Sequence, residues 1–176
     1  MNTKPTIVLL PTLIIALLIS IQYTIADSPP ADKTQTIKQL NKYWTTVSKA
    51  VRTGDFELYK STCHPEGILV ATAGSKKISQ PLSQALARWK KEFTATKSGQ
   101  IKANVTFRFS QRVNDATTAH ETGIFLYSQT NAQGQTRNEY IHFEGLLQKK
   151  GGKWLIVMEY QKAKATQKQW NELKPF

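Results

Sequence analysis

A chain of 176 residues is close to the usual size of one domain, so we expect one folded unit. Cys63 is the only cysteine, which excludes an internal disulfide and leaves the hydrophobic core to stabilise the fold. The formal net charge is +12 and favours anionic partners, such as an anionic envelope surface. No nucleic-acid-binding motif concentrates this charge, so we expect no nucleic-acid partner and interpret most of it as a solvated surface.

Residues 1–26 have the pattern of a signal peptide. Lys4 precedes an almost wholly apolar run at 7–21, and small residues lie just before Asp27. This pattern predicts an exported protein, periplasmic or secreted, that is cleaved before Asp27. An uncleaved N-terminal anchor is the alternative, because a bilayer span needs about 20 apolar residues and the run approaches that length. Residues 27–33 contain two prolines and predict an extended lead-in.

Helical periodicity follows the lead-in. A first helix is predicted to begin near Thr34 or Thr36 and to end at Gly54. Asp55 is expected to cap a second, shorter helix over residues 56–62. The first helix carries apolar residues at steps of three and four, which places them on one face: Ile37, Leu40, Trp44, Val47 and Val51.

A break, a strand and a third helix are expected next. His64-Pro65-Glu66-Gly67 predicts the break, because proline and glycine disfavour helix, and residues 68–73 predict a short strand. Pro81 is placed as the first residue of the third helix, with Ser79 or Gln80 as its cap. The inward stripe of this helix is predicted to contain Leu82, Leu86, Trp89 and Phe93.

The period then changes from 3.6 to 2, which is typical of strands. Alternation begins at residues 101–110, and further strands are predicted at 116–129, 136–148 and 153–161. In the last strand, alternation predicts one shared face for Trp154, Ile156, Met158 and Tyr160. Residues 163–176 are expected to form a basic C-terminal tail with Trp170 as its anchor. Helices followed by an antiparallel meander predict an α+β fold.

Four local motifs occur in a familiar order: Ala50-Val51-Arg52-Thr53-Gly54-Asp55, His64-Pro65-Glu66-Gly67, Asp115-Ala116-Thr117-Thr118-Ala119 and Gly151-Gly152-Lys153-Trp154-Leu155-Ile156-Val157. Together they resemble the nuclear transport factor 2-like superfamily, more closely its SnoaL-like branch, over residues 34–162. The resemblance implies a cone-shaped, strongly bent antiparallel or mixed sheet packed on three N-terminal helices, the cystatin-like roll. It also implies a pocket inside the cone and a homodimer formed through the outer sheet face. Members include isomerases, cyclases, dehydratases and non-catalytic modules, so the fold leaves the function open.

The catalytic positions that the resemblance implies are not retained. Those of the isomerases fall on Val47 and Ala71, which cannot move a proton, and a histidine of many SnoaL-like relatives is replaced by Tyr160. His142 and Glu144 lie two apart on one predicted strand and face the same way, which is the minimum for a histidine oriented by a carboxylate. An exposed polar row is the alternative interpretation of these two residues.

Three functions remain open from the sequence. The first is binding of a small hydrophobic molecule in an aromatic-lined pocket. The second is a cofactor-independent cyclase, dehydratase or isomerase with His142 as its base, and the third is a dimerising assembly module that binds anionic envelope components. No metal is expected, because the histidines are scattered. The predicted pocket-lining residues are Tyr43, Trp44, Tyr59, Trp89, Tyr127 and Tyr160.

Overall fold

The computed structural model describes residues 33–176, so the predicted leader and nearly all of the lead-in lie outside the described residues. Helices and strands follow one another as α1 (Lys33–Thr53), α2 (Phe56–Lys60), β1 (Cys63–Ala71), β2 (Ile78–Pro81), α3 (Leu82–Lys97), β3 (Lys102–Asn114), β4 (Thr118–Thr130), β5 (Thr136–Lys150), β6 (Lys153–Lys164) and α4 (Gln167–Glu172). The predicted α+β fold class is confirmed.

The strands form one curled, unclosed sheet of six strands in the order β2-β1-β6-β5-β4-β3. Neighbouring strands are antiparallel except β1 and β6, which run parallel and make the sheet mixed. The inner face packs on α1 and α3, and a buried aromatic cluster lies between them. Its central ring is Trp44 of α1, which contacts Phe107, Phe109 and Phe143 of the sheet with ring centroids 4.4 to 5.6 Å apart.

The junction between α1 and α2 forms as the sequence predicts. Gly54 adopts a φ of +64°, which glycine tolerates best, and the Asp55 side chain accepts a hydrogen bond from the Leu58 N–H at 2.9 Å. A Cβ at Gly54 would lie 2.4 Å from the Lys97 nitrogen, so the missing side chain also lets α1 approach α3.

The region around β1 and β2 departs from the prediction. β1 begins at Cys63, so the expected break at 64–67 lies inside a strand, which is irregular there and shifts register between Cys63 and Ile68. Ile78–Pro81 pairs with β1 and forms β2, which the sequence analysis did not predict. Because Ser79 and Gln80 belong to this strand, neither caps α3. Pro81 is the N-cap residue, and no side-chain cap bond forms there among the described residues.

A bulge in β6 changes the face predicted for its last residues. Ile156 pairs with Leu147 on the inner face, whereas Met158 pairs with Leu146 on the outer face, so one extra residue separates the two pairs. The prediction that four alternating residues share one face is therefore wrong; these residues are Trp154, Ile156, Met158 and Tyr160. Tyr160 pairs with Glu144 on the outer face, and Glu159 takes the inward position instead.

The C-terminal residues pack on the sheet. Thr166 and Gln169 form a capping box that begins the short helix α4, and Trp170 is 7% exposed against the outer sheet face. Pro175 then forms an isolated antiparallel bridge with Arg108 on the free edge of β3. We call residues 165–176 the C-terminal strap.

Candidate functional site

The structure places His142 and Glu144 on the outer face of the sheet. His142 pairs with Ile124, and Glu144 pairs with Thr122. Glu144 does not orient His142 in the described part of the chain. Its carboxylate instead binds His120 Nε2 at 3.1 Å and Lys162 Nζ at 2.6 Å. The hydrogen bond from Lys162 lowers the pKa of Glu144, with a smaller contribution from His120.

His142 therefore cannot serve as a base inside the cone. It lines a groove of about 470 Å³ between the outer face and α4, together with Lys162 and Glu172. The groove is open to solvent, and hydroxyl groups of Ser110 and Thr122 line it as well. This position is outside the cone that the resemblance implies, because the histidine lies on the opposite side of the sheet from α1.

The inner face carries a fully buried carboxylate. Glu121 is 0% exposed, and its oxygens accept hydrogen bonds from Trp44 Nε1 and from Arg112 Nε, the latter at 2.5 Å. Arg112 is its partner across the strand pair β3–β4. Removing a charge from water is costly, so this carboxylate depends on the arginine and the indole for its stability.

Arg112 is held by groups from α1 and from the chain terminus. Its Nη1 donates to Asn41 Oδ1 at 2.5 Å, and its guanidinium lies 4.3 Å from the Phe109 ring centre. The Phe176 ring lies on the same guanidinium, 5.9 Å from its centre. Nη2 is buried and has no hydrogen-bond partner among residues 33–176. The guanidinium therefore lies against two rings that also contact each other, at the β3 side of the interior.

A second inward carboxyl is Glu159. It lies in the same cross-strand row as Glu121, with Gly145 between them, and accepts a hydrogen bond from Gln161 Nε2 at 2.7 Å. Burial raises the pKa of Glu159, and the bond from Gln161 opposes that effect. Part of its side chain remains accessible. The carboxyl can therefore act as a hydrogen-bond donor over a wider pH range than an ordinary glutamate.

Burial is the largest cause of the raised pKa values of the groups near Glu159. It raises the pKa of the Cys63 thiol to about 12, with Glu159 as the second cause, and it raises the pKa values of Tyr43 and Tyr59. Cys63 is buried and remains a neutral thiol near pH 7. The Tyr43 hydroxyl is already engaged, because it donates to the Thr62 carbonyl at 3.2 Å.

The predicted pocket residues fall into separate places. Tyr43 and Trp44 are buried and contact each other edge to face, and Tyr59 contacts Trp89 at 6.1 Å. Tyr127 is partly buried against the core, whereas Tyr160 lies on the outer face and does not line the interior. Sequence reasoning assigned no role to Arg112 or Glu159. Alternation alone places both side chains on the wrong face, because a bulge before Gln111 on β3 turns Arg112 inward and a bulge before Met158 on β6 turns Glu159 inward.

Two further features are absent from the described residues. No group of three or more histidine, cysteine, aspartate or glutamate side chains converges on a metal-sized site within residues 33–176. Among the helices of this part, none has the length and apolar character needed to cross a bilayer.

Comparisons with known proteins agree with the fold described above. Residues 35–165 match the family model described as the calcium/calmodulin-dependent protein kinase II association domain. The chain belongs to this family. Its fold is nuclear transport factor 2-like, so the resemblance drawn from the sequence is confirmed. No curated protein sequence matches this association-domain chain.

Several solved structures share the association-domain fold. A conserved protein from Planctomyces limnophilus has a TM-score of 0.63 and 11% identity, covering 76% of this chain and 98% of that one. An NTF2-like protein of unknown function from Shewanella oneidensis has a TM-score of 0.54 and 16% identity, covering 71% and 97%. A putative calcium/calmodulin-dependent protein kinase II association domain from Xanthomonas campestris has a TM-score of 0.50 and 16% identity, covering 73% and 85%. At these identities the likeness concerns the fold alone.

Proposed function

We propose that this chain is an exported self-association module that pairs with a second copy through the outer face of its sheet. One observation carries the proposal. A single cross-strand row on that face is rich in exposed apolar side chains and crosses β3, β4, β5, β6 and β1. We call it the apolar row, and it contains Val113, His120, Leu146, Met158 and Ile68.

The exposure of this row supports an interface. Val113 is 55% exposed, Ile68 46% and Leu146 39%, so these large apolar side chains meet water in the single chain. Contiguous exposed apolar surface on a folded domain commonly marks an interaction site. A row that crosses a sheet can also pair with its own copy about a two-fold axis, because each end meets the opposite end.

Charge beside the apolar row favours a defined partner. Glu144 is the next outward residue to Leu146 on β5, and its carboxylate binds both His120 and Lys162. A positive and a negative group in one patch can meet their opposites on an identical surface. The family description, an association domain, supports the same function, and the apolar leader at residues 1–26 supports the exported location. The excess of basic residues leaves an anionic envelope surface as a further partner of the assembled module.

Leu146→Glu should weaken self-association at least tenfold, which corresponds to about 1.4 kcal/mol. The substitution places a carboxylate on the apolar row beside Glu144, so two copies would bury like charges. Sedimentation velocity over a concentration series measures the dissociation constant. Ser83→Glu adds the same charge at an exposed position of α3 and serves as the matched control. Equal dissociation constants for wild type and Leu146→Glu would contradict the proposal.

Binding of a small hydrophobic molecule inside the cone is the second candidate function, and the environment of Glu159 favours it. This carboxyl points inward among apolar groups, and several inward aromatic side chains keep part of their surface accessible. A neutral ligand with a carbonyl group would accept a hydrogen bond from protonated Glu159. The inward aromatics that keep accessible surface are Tyr59, Trp89, Phe125 and Tyr127.

Glu159→Ala should reduce retention of such a ligand about tenfold, because one hydrogen bond to this inward carboxyl contributes roughly 1.5 kcal/mol. Incubation with a mixed extract of hydrophobic metabolites, followed by native mass spectrometry, identifies what remains bound. Binding should strengthen as pH falls through the raised pKa of Glu159, since only the protonated carboxyl donates. Glu57→Ala alters an exposed carboxylate and is the control. Equal retention by wild type and Glu159→Ala would remove this candidate.

A further inference from the structure

We propose that the C-terminal strap is an autoinhibitory segment: it covers apolar outer-face surface and the free edge of β3, and its release strengthens association with a second copy of this chain. The inference rests on the proposed self-association and names its regulation. It concerns a different part of the outer face from the apolar row, namely the part beneath α4.

Arg108 of β3 makes several of the contacts that hold the strap. Its Nη1 donates to the carbonyls of Trp170 at 2.8 Å and Leu173 at 3.0 Å, which are groups near the end of α4. Its guanidinium lies 4.4 Å from the centre of the Trp170 ring, and its backbone pairs with Pro175. One side chain thus satisfies helix-end carbonyls and stacks on the anchoring aromatic ring.

The strap covers apolar side chains on the outer face of the sheet, which would be exposed to solvent without it. Ile124 points to the outer face yet is only 2% exposed, and Trp170 lies 6.0 Å from the Tyr140 ring on the neighbouring strand. Ile124 follows His120 by two outward positions on β4, so this hidden surface is continuous with the apolar row. A second copy seated on the row would extend over Ile124 and Tyr140 if the strap were displaced.

The same segment protects the strand edge. β3 is the last strand of the sheet, and an unpaired edge of this length readily pairs with another chain. Pro175 bridges to this edge at Arg108, and proline has no N–H to offer a further strand. Phe176 continues round the edge and packs on Phe109 at 5.2 Å. Face and edge are therefore closed by one continuous segment.

The strap is also expected to dissociate from the sheet as a single unit. α4 spans six residues, a length at which an isolated helix is not stable in water, so α4 depends on its contacts with the sheet. Trp170 is its one buried residue within the described structure. Loss of either Trp170 or Arg108 should therefore release the whole segment while the rest of the core keeps its own contacts.

Trp170→Ala and Arg108→Gln in the full chain test the inference. Amide hydrogen exchange over residues 167–173 should accelerate at least tenfold in both variants, and the dissociation constant for self-association should fall at least tenfold. Lys168→Ala changes an exposed residue of the same helix and should leave both quantities unchanged. Far-UV circular dichroism establishes that the variants remain folded.

The outcomes separate this inference from the proposed function. Faster amide exchange without tighter association in either variant overturns the autoinhibitory role. Unchanged amide exchange in both variants also overturns it, because the strap would then be held by other contacts. Comparing Leu146→Glu with Trp170→Ala, each as a single variant, isolates the contribution of the apolar row. If Leu146→Glu alone leaves wild-type association intact while Trp170→Ala strengthens association, the row fails as the interface and the strap keeps its role.

Discussion

Replacing Arg112 with methionine should lower the free energy of unfolding by about 3 to 5 kcal/mol, because the fully buried carboxylate of Glu121 would lose its charged partner. The remaining donor, Trp44 Nε1, is neutral and cannot compensate the charge. Methionine keeps much of the volume that packs against Phe109 and Phe176, so the loss of stability comes from the electrostatics rather than from a cavity. Urea denaturation followed by tryptophan fluorescence measures the change.

A double variant tests whether Arg112 and Glu121 stabilise the fold as an ion pair. Arg112→Met with Glu121→Leu removes both charges and should recover most of the lost stability, since a buried ion pair can often be replaced by apolar residues at little cost. Glu121→Leu alone leaves the arginine unpaired and should be destabilising. If the double variant were as unstable as the two single losses combined, the residues would act independently and the ion-pair explanation would be wrong.

Alternation and helical periodicity correctly predicted the buried faces of the regular strands and helices. On β3, Ala103, Val105 and Phe107 are buried as the two-residue period requires, and on α1 the apolar stripe at Leu40, Trp44 and Val47 is buried in the core. These patterns depend on burial of one face, which leaves a direct trace in the order of apolar and polar residues. The motif order added the family, and the matched family model confirms it.

Irregular pairing could not be predicted in the same way. The bulge before Met158 moves Tyr160 outward and Glu159 inward, and nothing in the local alternation of β6 marks an extra residue. A single-residue shift reverses every later side chain, so the interior assigned from sequence contained a tyrosine where the protein has a carboxyl. β2 was missed for a related reason: four residues that pair only with β1 carry too little pattern.

The candidate site depended on contacts between distant segments. Glu121 and Arg112 lie on neighbouring strands, but Asn41 and Trp44 come from α1 and Phe176 from the chain terminus. The strap did leave one local signal: Thr166 followed by Gln169 is a capping-box pattern, which predicts a helix start. Its attachment to Arg108 has no such signal, because a cation on β3 and a tryptophan 62 residues later become neighbours only after folding.

Gly123→Ala should destabilise the fold by roughly 3 kcal/mol, because a methyl group at this position meets backbone rather than a mobile side chain. The added Cβ would lie 2.1 Å from the Arg108 carbonyl oxygen and 2.9 Å from the Phe109 Cα. Gly123 lies opposite the irregularity on β3, where Phe109 pairs with Gly123 and Gln111 with Thr122. The glycine therefore permits the close approach at which the sheet bends.

The effect of this substitution should extend beyond stability. Pushing the Arg108 backbone away from β4 would shift the side chain that holds the C-terminal strap, so hydrogen exchange over residues 167–173 should also accelerate. Gly74→Ala is the control, since a Cβ there meets no described atom within 4 Å apart from those of Gly74 and its two chain neighbours, and it should change the free energy of unfolding very little. A loss below about 1 kcal/mol for Gly123→Ala would mean that β3 relaxes freely at the bulge. The bend would then not depend on a glycine, and strap position would be independent of it.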